Sequence, residues 1–369
     1  CVMAEVTPPH SSPTTGKRTE RPEVGNVVAK IQKVDVSSLQ KHSKDLREQT
    51  ETVKHHYDIR TDQGLANRNQ SQIFHLRNFN NWTKSVLLKK YISNAKYDNV
   101  FRPRWEREFY ALDLCCGKMG DALKWRIGKV NCVVGADIAL EGLKDGMNRY
   151  YERKMDKNFS LSLICADCSV VDITRGLPDP KMLFDICSCQ FALHYSFGTR
   201  EHARTMVRNA AQHLRKGGFF IGTIPNADVL LERAKDTGEW RSKDDICVVK
   251  FEQEISEITR PIGFGVKYTF TLQDAIDACP EYLINVELLE SICKEFDLEL
   301  KELKPFRRFK EEHFRRNRDL WDRMKVPGLS PAEYEVIDLY QVFAFEKMRG
   351  SSSNIKRVPP TRDEIEILE

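Results

Sequence analysis

The sequence predicts an α/β protein: a Rossmann-like, doubly wound and mostly parallel sheet with an appended small helical/β lobe. Three observations carry that expectation. Short apolar runs alternate with helical stretches between 109 and 224, a glycine turn follows the first run, and an acidic residue closes the second and third. Such β-α-β-α alternation buries a parallel sheet between helices.

The elements follow in order. Residues 1–54 are rich in Pro, Ser, Thr, Lys and Glu, lack a lasting hydrophobic period, and read as a disordered N-terminal arm. They show no apolar h-region, so no secretory leader is expected. Nowhere does an apolar run approach the roughly 20 residues of a membrane helix. The catalytic domain is expected at 55–348. Its first helix carries Ile73, Leu76, Phe79, Trp82, Val86 and Leu87 at helical spacing. A strand over 109–114 leads through the glycine turn into a helix reaching Trp125. Strands are read at 131–137, 161–165, 184–189 and 219–224, with helices over 140–154 and 201–214. Beyond Pro225 the pattern loosens: 266–272 alternates like an exposed strand, 288–296 reads as helix, and 301–325 as partly helical. A last strand at 340–345 is expected to return to the sheet edge, before a C-terminal tail over 349–369.

With 58 Lys+Arg against 54 Asp+Glu the net charge is only +4, yet the basic residues bunch at Lys89 and Lys90, at 102–107 and at 301–325. Local basic surface suits a short polyanion, although each run also reads as a solvated helix face. Eleven cysteines without a leader read as reduced thiols. Cys165 and Cys168 have the spacing of half a zinc site, but the other half is missing, so no metal is expected.

The run 111–121 (ALDLCCGKMGD) is a strand entering a glycine turn and a helix, where backbone can approach a ligand closely. Asp137 lies 20 residues after Gly117, placed to accept ribose hydroxyls, and Asp167 follows the third strand, placed to read an adenine amine. Each piece alone is equally a turn or a helix cap. The turn lacks the full GxGxxG, and Asp121 sets a negative charge where a pyrophosphate needs none. That disfavours a dinucleotide and suits a cationic nucleoside cofactor, S-adenosylmethionine.

The motifs at 71–82 (SQIFHLRNFNNW), 184–197 (FDICSCQFALHYSF), 218–226 (GFFIGTIPN), 279–282 (CPEY) and 337–345 (IDLYQVFAF) go well beyond a generic methyltransferase pattern. Through them the chain, from about His55 to Lys347, resembles the mRNA cap guanine-N7 methyltransferases. The resemblance implies transfer of a methyl group from S-adenosylmethionine to N7 of the cap guanine. It implies Lys84 at the methionine carboxylate, Cys115 and Gly117 at the turn, Asp137 at the ribose, Asp167 at the adenine, and Gln190 and Tyr195 beside the sulfonium. On the cap side it implies Asn80 and Asn81, with Lys118, Lys124 and Arg149 at the triphosphate bridge. His194, Tyr195 and Pro225 would surround the guanine, with Glu281 and Tyr340 completing the pocket. The catalytic residues it implies are Glu281, His194 and Tyr195. Capped RNA is the implied partner and the nucleus the implied compartment. The arm is where another capping enzyme or the RNA polymerase II tail would engage.

Guanine N7 carries a free lone pair, so no general base is required, and Glu281 would stabilise the charge growing on the ring. The plainer readings are a first-turn helix charge for Glu281, a core imidazole for His194, core packing for Phe191 and Phe197, and solvated surface for Lys118, Lys124 and Arg149. The chain departs from the family's Gly-Cys-Gly-Lys-Gly-Gly at Cys115 and Met119: Cys115 keeps its backbone contact if its φ is negative, and Met119 requires a loop that tolerates a side chain. That altered turn leaves open a catalytically silent cap- or RNA-binding module; a methyltransferase for a small molecule or protein is the other alternative.

Overall fold

A computed structural model of the chain describes residues 51–55, 71–99, 108–352 and 358–369, all within one compact unit that begins at Asp45. Nearly all of the expected arm, and the stretch 102–107, lie outside the described residues. No helix among the described residues is long and apolar enough to cross a membrane.

Strands β1 (Tyr110–Leu114), β2 (Cys132–Asp137), β3 (Ser160–Cys165), β4 (Phe184–Gln190) and β5 (Leu214–Pro225) run parallel in the order β3-β2-β1-β4-β5. Their residues are buried almost throughout, so they appear in the sequence as unbroken apolar runs. Helix α1 (Phe74–Asn99) precedes the sheet; α2 (Ala122–Ile127), α3 (Leu140–Glu152) and α4 (Arg200–Ala211) connect its strands. The chain winds outward from β1 to β3, then returns to the other side of β1 with β4. This reversal leaves a crevice at the carboxyl ends of β1 and β4, the usual ligand position in such sheets.

Past α5 (Ala227–Ala234), a second sheet forms an antiparallel meander: β6 (Glu239–Arg241), β7 (Cys247–Phe251), β8 (Lys267–Leu272) and β9 (Ile276–Tyr282). Only β8 is legible as a strand in the sequence, and it is not exposed: Tyr268, Phe270 and Leu272 bury one face. Glu281 therefore belongs to a strand rather than to a first helical turn, and Pro280 beside it is tolerated because β9 is an edge strand.

Helix α6 (Val286–Glu295) leads to β10 (Leu298–Pro305), which pairs antiparallel with β11 (Tyr340–Lys347), itself antiparallel to β5. The expected last strand is thus internal. The edge belongs to β10, whose Lys and Glu residues hide a strand inside an apparently basic helical stretch; alternating charges suit an open edge. Helices follow only from Phe306, as α7 (Phe306–His313), α8 (Arg318–Arg323) and α9 (Pro331–Ile337). Trp321 of α8 packs edge-on against Trp82 and Phe79 of α1, fixing this helical lobe to the first helix. Glu333 caps twice over: its Oε2 accepts from Ser330 N–H and its Oε1 from Leu76 N–H, so α9 and the start of α1 share one buried carboxylate. The tail is docked rather than free. Its strand β12 (Glu366–Ile367) pairs with β3, and Arg362 donates to the Gly176 and Leu177 carbonyls.

Candidate active site

Two cavities open beside the carboxyl ends of β1 and β4, and Phe191 lines both. The first, of about 320 Å³, lies between the turn after β1 and the ends of β2, β3 and β4. Cys115, Gly117, Asp137, Asp167, Gln190 and Tyr195, all expected at the cofactor, line it together. Asp137 is fixed by two backbone donors, Gly117 N–H to Oδ2 and Ala139 N–H to Oδ1, each at 2.8 Å. The carboxylate thus clasps the glycine turn to the start of α3. Asp167 Oδ1 accepts from the Ser169 amide (2.9 Å) and hydroxyl (2.6 Å).

The turn is built from left-handed residues: Cys115, Gly117 and Met119 have φ of 56°, 51° and 52°. The condition set for the Cys115 backbone contact, a negative φ, is therefore not met, although the residue still lines the cavity. A non-glycine residue held there costs about 1–2 kcal/mol, which the surrounding packing must offset. Met119 is accommodated because α3 and β2 present glycines: a Cβ on Gly146 would lie 3.0 Å from Met119 Cγ, and one on Gly135 3.2 Å from its Sδ. The Cys115 thiol, half-buried in the cavity wall, is pushed well above the ordinary thiol range, first by its hydrogen bond to Cys189 and then by desolvation.

No lysine or arginine side chain among the described residues lines this cavity, while two carboxylates do. A Cβ at Gly117 would meet nothing within 4 Å, so backbone faces open space, and the buried Gln190 Oε1 has no hydrogen-bond partner. An acid-lined cleft with an orphan acceptor suits a ligand carrying donors and positive charge, and opposes phosphates.

The second cavity, of about 390 Å³, has the reverse character. Arg77, Lys84, Arg149 and Arg153 line it with Asn80 and Asn81, and no carboxylate residue does. Lys84 therefore faces this side, its ammonium 2.8 Å from Asp121 Oδ1. Lys124 is half-buried and, like Lys118, lines neither cavity; its ammonium sits 2.6 Å from the same oxygen and 3.3 Å from Asn81 Oδ1. Burial raises the Asp121 carboxyl, but the two ammoniums outweigh it and hold it below the ordinary range. Lys118 pairs with Asp145 at 2.7 Å, and its carbonyl accepts from Arg149.

Of the residues expected around guanine, Tyr195 lines the first cavity, whereas His194, Pro225, Glu281 and Tyr340 are buried. His194 Nε2 is 3.3 Å from Glu281 Oε1, and Tyr268 donates to Glu281 Oε2 at 2.6 Å; all three side chains are buried. Tyr340, paired across the sheet with Pro225, meets the Phe191 ring at 5.2 Å. His194, Pro225, Glu281 and Tyr340 line neither open cavity. The sequence reading assigned Phe191 to the core, gave no role to Arg77 or Arg153, and set the Asp121 charge against a pyrophosphate, whereas Asp121 is paired with Lys84 and Lys124 and does not line the first cavity. Their available signals were position: Phe191 ends β4, Asp121 ends the turn, and Arg153 follows Arg149 by one helical turn.

The family model for the mRNA (guanine-N(7))-methyltransferase domain matches residues 40–348 of the chain. The chain belongs to this family. Among relatives of this methyltransferase, mRNA cap guanine-N(7) methyltransferase 1 of Oryza sativa subsp. japonica is 36% identical, covering 87% of this chain and 90% of that one. Its namesake in Arabidopsis thaliana is 35% identical, with 83% of each chain covered. The mRNA cap guanine-N(7) methyltransferase of Schizosaccharomyces pombe is 34% identical, covering 80% of this chain and 82% of that one. The methyl donor of this methyltransferase is S-adenosylmethionine, and the first cavity's acids, open turn and orphan amide oxygen fit it.

Proposed function

We propose that this methyltransferase modifies N7 of the terminal guanine of capped RNA, converting GpppN to m7GpppN. One observation carries the reading: an acid-lined cavity and a cation-lined cavity meet at Phe191. A sulfonium donor belongs in the first and a polyphosphate in the second, so donor and acceptor approach each other where the two join.

Asp137 would hold the ribose hydroxyls and Asp167 the adenine end, with Gln190 and Tyr195 toward the sulfonium and Cys115 and Gly117 contributing backbone. The donor supplies an electrophilic methyl group. Lys84, close to Asp121, would meet its carboxylate at the boundary between the cavities. Asn80, Asn81 and Arg149 would contact the cap from the second cavity, with Lys118 and Lys124 adding charge near its bridge.

The protein's own residues then act by alignment and charge rather than by proton abstraction. Glu281 would accept from the guanine N1–H and exocyclic amine, offsetting the positive charge that grows on the ring. Its carboxylate accepts from Tyr268 and faces His194 in a buried position, so the base would reach it by displacing the side chains that now seal it. Tyr195, Pro225 and Tyr340 would wall the base. The family places the protein in mRNA processing, and its compartment would be the nucleus; the N-terminal arm is where another capping enzyme or the polymerase II tail would dock.

The test is tritium transfer from labelled S-adenosylmethionine to GpppA and to capped RNA. Transfer to both, with m7GpppA as the product, is expected. Cap binding without transfer to either substrate would indicate a silent module and overturn the proposal.

A further inference from the structure

The charges of the second cavity are ordered along α3. That helix begins beside the Asp137 carboxylate and runs away from the first cavity, so its later residues lie progressively further from the site of methyl transfer. Arg149 comes first. Arg153 follows, and its N–H still donates to the Arg149 carbonyl at 3.1 Å, so the helical spacing persists through this residue. Two residues four apart share one helix face and are displaced by roughly 6 Å along the axis. That displacement is comparable to the separation of consecutive phosphates along an extended nucleic-acid strand.

Helix α1 supplies a third guanidinium to the same cavity. Arg77, on the first turn of α1, donates through Nη2 to the Asp274 carbonyl in the turn between β8 and β9. The Asp274 carboxylate in turn accepts from the Ser71 hydroxyl and the Gln72 amide, so hairpin and helix start are tied together. Arg77 is thereby set in place from behind, while Arg153 is exposed at the far end of the cavity. A cap dinucleotide has only its three bridging phosphates, for which Lys118 and Arg149 are the contacts proposed above. Arg153 and Arg77 offer charge to phosphates that a dinucleotide does not possess.

We propose that Arg153 and Arg77 form a track for the RNA strand beyond the cap, binding the phosphodiesters that follow the first transcribed nucleotide. The proposal rests on the cap-methyltransferase reading above and names the part of the substrate that this end of the cavity takes.

Steady-state methyl transfer by the full chain to GpppA and to a capped RNA of about ten nucleotides separates the two ideas. Arg153→Glu is expected to raise KM for the capped RNA about tenfold, at least threefold more than for GpppA, with kcat little changed. Arg153→Ala should flatten the dependence of log KM on log salt for the capped RNA by about 0.7. Arg153→Lys should restore most of both. Turnover on GpppA reports that each variant is folded. Equal effects of Arg153→Glu on the two substrates, or none on the capped RNA, would overturn the track while leaving the cap reading intact. A wild-type chain inactive on both substrates would overturn the reading beneath it.

Discussion

Glu281 and His194 face each other across 3.3 Å in a position sealed from solvent, with Tyr268 donating to the other carboxylate oxygen at 2.6 Å. A buried carboxylate so arranged is costly unless its partners are matched. Glu281→Gln retains the shape and an acceptor for Tyr268 while removing the charge proposed to stabilise the methylated ring. Methyl transfer to capped RNA should fall about 100-fold, with the melting temperature changed by only a few degrees. Near-normal kcat/KM in this variant would remove Glu281 from the mechanism.

Met119 and Gly146 should be energetically coupled. A Cβ on Gly146 would press on Met119 Cγ at 3.0 Å and on the Lys118 carbonyl carbon at 3.2 Å. Gly146→Ala is therefore expected to destabilise by about 1–3 kcal/mol, although alanine favours a helix. Adding Met119→Gly should recover part of that loss, giving a coupling of at least about 0.5 kcal/mol in a denaturation double-mutant cycle. Strict additivity would contradict this account of how the turn accepts a side chain.

Cys115 occupies left-handed backbone at φ 56° in the wall of the cofactor cavity. Cys115→Gly should preserve S-adenosylmethionine affinity, because only backbone is asked to meet the ligand. Cys115→Val, β-branched at the same φ, should weaken it about tenfold or more. Isothermal titration compares the two. Equal affinities would mean that the turn's conformation does not govern binding.

Asp113 lies buried in β1, accepts from Trp125 Nε1, and neighbours Asp121. Burial first, and then the Asp121 charge, push its carboxyl up from 3.8 to about 7. Its protonated form is thus favoured by folding, so its contribution is fully present at low pH and is lost as pH rises from about 4 through 7. Asp113→Asn, which can still accept from Trp125, should raise the melting temperature by roughly 3–6 °C at pH 8 and by progressively less toward pH 5. A pH-independent offset would refute the assignment.

The central sheet was legible because its strands are buried on both faces and punctuated by turn residues, so apolar runs mark each one. The meander was legible only at β8: β6 has three residues and no buried one, and β9 holds Pro280 and Glu281, buried by packing across the hairpin. β10 was masked by its own charges, which belong to an edge strand. In the site, Asp137 and Asp167 were legible from their places after strands, whereas Phe191 looked like any core aromatic.

What the sequence determined by itself was the order of elements through β5, the acids at the strand ends and the family motifs, all properties of local pattern. Tertiary structure alone decided which charges share a wall. It sent Lys84 to Asp121, put β11 inside the sheet, and gathered Arg77, Arg149 and Arg153 around one cavity. Electrostatic character arises from charges brought together across long stretches of chain, and periodicity along one segment carries no record of them.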